Sequence, residues 1–256
     1  MTERLRRPLV PVLLAGLFAV PLAVVVVAAL ANSWRAPSLL PQELGWRGFE
    51  VAFGSGGAAA ATANSIVVAL VTTVICLLVG WPAARVLGGR RLPRSRLIAL
   101  LIALPLLMPP YLAGFGLIEW FIRLGIDGTL AGLVLAHVVL SLPYAILILL
   151  SGFNREIDKL EEMASVTGAG RLRRLLWVSL PSMRPALGAA ALLSFLVSWS
   201  QYGSSLALGA DRSTLPIVML PFIRSDPQVG AALAVVFVIP ALVAVALAAR
   251  SQRSPI

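Results

Sequence analysis

Leu160–Pro185 reads LEEMASVTGAGRLRRLLWVSLPSMRP, a polar, basic, Gly-broken stretch set between two long runs that carry no charge. The uncharged runs decide the fold. They extend over Pro8–Trp34, Val51–Ala84, Leu97–Ile118, Gly128–Asn154, Pro185–Ala210 and Pro227–Ala249. Each exceeds the ~20 residues that a helix needs to cross ~30 Å of hydrocarbon. Lipid offers the backbone no hydrogen-bond partner, so each run is expected to be helical and satisfied internally. The expected class is all-α, a polytopic membrane protein with six transmembrane helices. The quoted stretch then lies outside the bilayer, where a soluble partner can hold it.

Composition agrees. Of 256 residues, 59% are hydrophobic and 12% charged, a balance that excludes an ordinary water-soluble domain. The formal charge of +10 invites a nucleic-acid reading, but the basic residues sort by side of the membrane. Sixteen of the 21 fall at the N-terminus, between runs two and three, between runs four and five, or at the C-terminus. Arg35, Arg47, Arg123, Arg212 and Arg224 fall on the other side. By the positive-inside rule both termini and Glu162 are expected in the cytoplasm. The partner is the bilayer, with no nucleic acid. Leu9–Ala31 exceeds the ~7–15 apolar residues of a signal-peptide core, so the opening run is expected to stay as a first span. Cys76 is the only cysteine and supports neither a disulfide framework nor a multi-cysteine metal site.

Residues 1–61 read as a first span and an outer loop, in which Trp46 and Phe49 suit a headgroup boundary. Thr62-Ala63-Asn64-Ser65 offers N-capping side chains for the second span. Residues 62–250 hold the remaining spans, and 251–256 form a cytoplasmic tail. Pro105, Pro109 and Pro110 should break the third run, and Pro143 should bend the fourth. Glu156–Leu176 is expected as a short helix, a turn at Gly168-Ala169-Gly170, and a second short basic helix, with Pro181 and Pro185 separating it from the fifth run. Leu215–Phe222 is too short to cross the bilayer and should pack at or dip into the outer surface.

Within the quoted stretch, Glu162, Met163 and Ala164 are followed after three residues by Gly168, and after nine more by Val178, with Leu180 and Pro181 closing the pattern. This resembles the EAA signature of membrane subunits of ABC importers, E-A-A-x3-G-x9-I-x-L-P. Met163 stands for the first alanine and Val178 for isoleucine. The resemblance, strongest from Thr62 to Arg250, implies the permease subunit of a binding-protein-dependent importer of the type I architecture, in a bacterial cytoplasmic (inner) membrane. It implies that Glu162, Met163, Ala164, Gly168, Ala169, Leu180 and Pro181 form a coupling element. Glu162 would meet a basic groove, Ala164 would allow close backbone approach, and Gly168 would supply the bend. The implied partners are two ABC ATPase subunits, a second permease, identical or related, and an extracytoplasmic solute-binding protein. No cofactor is expected on this chain, while ATP and Mg belong to the ATPase.

Trp199, Ser200, Gln201, Tyr202, Gly203, Ser204 and Ser205 form the most polar cluster inside any run. Such side chains can line a solute pathway or join helices. His137 and Glu119 raise a second transport reading, an ion-gradient-driven transporter or channel with a proton relay. A lone histidine in LVLAHVVLSLPY is more simply a hydrogen-bonded packing residue, and Glu119 an interfacial one. A membrane serine protease is a third reading. It fails because His137 precedes Ser204 and Ser205, the reverse of the rhomboid order. No phosphate loop of the form G-x-x-x-x-G-K-S/T occurs, so the chain is expected not to be an enzyme. The compact plan with Thr214-Leu215-Pro216 is similar to permeases for polyamines, thiamine, ferric iron or oxyanions.

Overall fold

The computed structural model describes residues 2–54, 57–88, 95–209 and 213–252. Arg90, Arg91, Arg94, Arg212 and Arg253, with most of the tail, lie outside the described residues. In chain order the elements are α1 (Thr2–Ala29), β1 (Ala31–Ser33), β2 (Glu43–Leu44), α2 (Arg47–Gly54), α3 (Ala58–Gly88) and α4 (Ser95–Ala103). A 3-10 turn (Leu104–Leu107) leads to α5 (Pro110–Arg123), α6 (Leu130–Gly152), α7 (Arg155–Val166) and α8 (Arg171–Arg174). A π-helical segment (Leu175–Ser179) precedes α9 (Leu180–Ser182), α10 (Arg184–Trp199), α11 (Gly203–Leu208), α12 (Leu215–Ser225) and α13 (Pro227–Gln252).

The apolar runs fall on helices, though not on six unbroken ones. Among the described residues, Ala58–Gly88, Leu130–Gly152 and Pro227–Arg250 are each long and apolar enough to cross a membrane. Arg171–Ser182 and Arg184–Trp199, bent by 75°, make a fourth if taken as one span. The third run divides as its prolines dictate. Pro105 sits in the 3-10 turn, Met108 is extended, and Pro110 opens α5 at a position where its missing N–H costs nothing. The fifth run breaks as well, at 200–202, which was not expected. Pro143 lies inside an α6 that stays continuous.

The chain forms two compact units, residues 1–62 with 215–240, and 63–214 with 241–256. In the first, β1 and β2 pair antiparallel, Ala31 opposite Leu44. Gln42 clasps the same loop, accepting from the Arg35 amide at 3.1 Å and donating to the Arg35 carbonyl at 3.0 Å. α2 is a short helix within the stretch expected as an outer loop. Its Arg47 donates to both carboxylate oxygens of Asp226. That hydrogen bond holds the Asp226 carboxyl below its ordinary range and raises the Arg47 guanidinium. A depressed carboxyl contributes stability above its unfolded pKa of ~3.9 and loses it as pH falls through the folded value. Asp226→Asn should therefore flatten the acid limb of a thermal-stability profile below about pH 4. An unchanged limb would show that the pair does not contribute.

In the second unit α6 is the central helix, buried at Leu133, Ala136, His137, Leu140, Ser141 and Leu149 among others. Thr129 caps it, its Oγ1 accepting from the Gly132 amide at 3.0 Å. Thr129→Ala should cost about 1 kcal/mol, readable as a lower unfolding midpoint. α3 shows one buried face, Val68, Thr72 and Cys76, and one exposed face, Val67, Val71, Val74 and Leu78, the division expected of a helix half-packed and half in lipid or against another subunit. It starts at Ala58, not at Thr62. The four alanines 58–61 are strong helix formers, and Gly57, with φ of 67°, turns the chain into them. Asn64 is consequently not a cap; its Nδ2 donates to the Ser213 carbonyl at 3.2 Å.

Candidate functional site

α7 begins with a strong local signal. The Asn154 side chain accepts from the amides of Glu156 and Ile157, both at 3.1 Å, and Glu156 and Asp158 place negative charge in the first turn. Helical spacing then sorts its faces. Ile157, Glu161 and Ala164 face the body of the unit, with Ile157 packed in a core with Ala84, Leu149, Met183 and Ala190. Glu162, Met163 and Val166 face outward, Met163 at 67% and Val166 at 88% exposure. An apolar edge beside an exposed carboxylate is thus presented to the surroundings.

Glu161, the acid just before the Glu162 of the coupling pattern, is the residue that fixes this presentation. One carboxylate oxygen accepts from Arg85 at the end of α3, and the other from the buried Ser179 hydroxyl of the π-helical segment. Three elements meet on one side chain. With Arg85 45% exposed, the pairing is worth about 1 kcal/mol. Glu161→Ala should therefore loosen α7, read as faster limited proteolysis within 167–170. Unaltered cleavage would show that Ile157 alone holds the helix.

The turn after α7 is closed by reversed backbone bonds. The Gly168 amide donates to the Ser165 carbonyl at 3.1 Å, and the Ala169 amide to the Ala164 carbonyl at 3.0 Å. This pattern needs a left-handed residue at its centre, and Gly168 has φ of 82°. A Cβ built at Gly168 would meet nothing within 4 Å, so the glycine serves the backbone and whatever docks against it. Beyond the turn the second basic helix is only one turn long. Pro181 brings no N–H for the Trp177 carbonyl one turn earlier, and the π-helical segment accommodates that loss. Leu180 and Pro181 are half-buried in α9. The bend falls at Met183, just before Pro185.

The polar cluster after α10 divides. Trp199, Gln201 and Ser204 are buried, Tyr202 is half-buried and Ser200 is exposed. Trp199 stacks on Phe195 with ring centroids 5.9 Å apart. His137 lies between two hydroxyls, its Nδ1 at 2.8 Å from Ser198 Oγ and its Nε2 at 3.0 Å from Ser205 Oγ, which is the packing role expected of it. α11 approaches α5 closely at Gly114, where a Cβ would sit 3.1 Å from Ser204 Cα. Ser198 and Gly114 escaped sequence reading, although Ser194 and Ser198 stand one turn apart on one face of α10. Glu119 pairs with Arg123 on the exposed surface of α5.

The class the fold defines is a helical chain of apolar spans, some of them broken, with an outward-facing helix–turn element pinned beside them. No family model matches the sequence. The chain is 36% identical over 178 residues to the ABC transporter permease protein ORF1 of Streptomyces antibioticus, covering 68% of this chain and 77% of that protein. It is 32% identical over 205 residues to the molybdenum transport system permease protein ModB of Mycobacterium tuberculosis, covering 73% and 77%. Among solved structures, a bacterial ABC transporter involved in the import of the acidic polysaccharide alginate superimposes with a TM-score of 0.71 over 98% of both chains at 18% identity, a likeness of fold. The chain belongs to the ABC transporter permeases.

Proposed function

We propose that this chain is the permease subunit of an ATP-driven importer that couples to a separate ATPase through α7 and the Gly168 turn. The observation that carries the reading is the outward face of α7. Glu162, Met163 and Val166 are presented together while Glu161 and Ile157 hold the helix from behind. Met163 and Val166 put exposed apolar surface beside the Glu162 carboxylate, the mix of an apolar contact and a charged group that suits a docking edge. Glu162 supplies a carboxylate for charge-assisted hydrogen bonds to a basic groove. The tight turn brings backbone, without side chain, to the contact. In the assembly two ATPase subunits bind on the cytoplasmic side, a second permease completes the path, and a solute-binding protein delivers cargo from outside. Closure of the ATPases on ATP moves the α7 element and rocks the spans.

The cargo we infer is a small oxyanion. Of the classes suggested by sequence, this is the one supported by the likeness to a molybdenum permease, since molybdenum in neutral aerated water is an oxyanion. Uptake of labelled molybdate, with sulfate and thiamine as competitors, tests the assignment. Competition by thiamine alone would redirect it. The proposed orientation places both termini inside. A thiol label at Ser213→Cys should react from outside, and one at Gly170→Cys, where a Cβ has open space, only from inside. The reverse pattern would overturn the orientation.

A further inference from the structure

We propose that the cleft at the Arg85 end of α3 binds an anionic phospholipid, its phosphate headgroup held by Arg171 and Arg174 and an acyl chain lying in the adjoining apolar groove. The cleft has a volume of about 550 Å³ and is lined by Trp81, Arg85, Arg171, Leu172, Arg174 and Leu175. Arg85 is engaged with Glu161. Among the described residues Arg171 and Arg174 have no ion-pair partner, so the cleft carries two uncompensated positive charges.

A second hollow of about 250 Å³ shares Trp81 and Leu175 with the first and continues along Leu77, Leu78, Leu180 and Leu187. Its lining is entirely apolar apart from the indole nitrogen. A basic cleft that opens into an apolar one matches a molecule with an anionic head and a hydrocarbon tail. Free phosphate would use only the first hollow.

The depth agrees. Arg85 is the first charged residue after the uncharged run Val51–Ala84 and lies in the last turn of α3, where a spanning helix leaves the hydrocarbon core. Trp81 and Arg85 therefore stand at headgroup level, where Trp is favoured and where basic pockets between helices take lipid head groups. Leu78, one turn deeper, is 69% exposed.

The site is tested on the purified full chain in neutral detergent, by native mass spectrometry with phosphatidylglycerol and phosphatidylcholine of identical acyl chains. Phosphatidylglycerol should be retained roughly tenfold or more over phosphatidylcholine. Arg171→Gln with Arg174→Gln should abolish the preference, and each single substitution should remove part of it. Arg173→Gln, exposed and outside the cleft lining, should leave it intact. Glycerol phosphate at equal concentration should not displace the lipid. Equal retention of the two lipids, an equal loss in Arg173→Gln, or displacement by glycerol phosphate overturns the proposal. The measurement needs no ATPase and no transport, so its outcome is separate from that of the coupling reading.

Discussion

Gly168→Val is expected to reduce ATP-driven uptake to below about a tenth of the wild-type rate while the protein remains in the membrane. The residue sits at φ of 82°, a conformation that costs an L-residue about 1 kcal/mol or more and a β-branched one further still. Apart from its chain neighbours, no described residue has an atom within 4 Å of a Cβ at that point, so the added bulk projects outward into the proposed ATPase contact. Alanine supplies only the backbone penalty, valine the penalty and the bulk. Uptake should fall in the order Gly, Ala, Val, measured beside membrane abundance. The core of the second unit does not use this turn, and abundance should hold. Full uptake in the valine variant would sink the coupling role, and disappearance of the protein would assign Gly168 to folding.

Glu162→Lys is expected to have an effect of similar size by a different route. The Glu162 side chain is exposed on the outward face of α7 and has no hydrogen-bond or ion-pair partner among the described residues, the Ser165 hydroxyl bonding only its backbone carbonyl, so reversing its charge breaks no side-chain contact described in the chain. Against a basic groove the substitution exchanges an attraction for a repulsion, which costs several kcal/mol at a desolvated contact. Copurification of the ATPase should fall, or hydrolysis should continue without uptake. Glu162→Gln should be milder, since the amide still accepts a hydrogen bond. Assembly and transport of the lysine variant at wild-type rate would show that the ATPase docks elsewhere.

Much of this was legible in the chain. Uninterrupted hydrophobicity marks where helices lie, because lipid leaves the backbone no alternative. Prolines at 105, 109 and 110 predicted the break before α5, and Gly168 predicted the turn, because both residues act through their own backbone. What was not legible depends on partners distant in sequence. Glu161 and Glu162 are adjacent acids, and only the packing of Ile157 decides which one turns inward to Arg85 and Ser179. Asn64 looks like a cap until the preceding alanines extend the helix past it, leaving its amide to the Ser213 carbonyl. The run after Pro185 gave no sign of stopping at Trp199. There the close approach of Ser204 to Gly114 and the two hydroxyls around His137 fix a second short helix, and those contacts join residues 61 to 90 positions apart. The cluster at 199–205 was read as one group, and packing separates its buried members from Ser200 and Tyr202.

The most direct test is uptake by sealed vesicles that hold the permease, with the ATPase on one face and the solute-binding protein supplied on the other. Labelled cargo should enter only when ATP and Mg reach the ATPase side. Uptake should stop when the ATPase is omitted and persist when protonophores collapse the ion gradient. Uptake that proceeds without the ATPase and follows the gradient would contradict the account, and would return His137 and Glu119 to consideration as a relay.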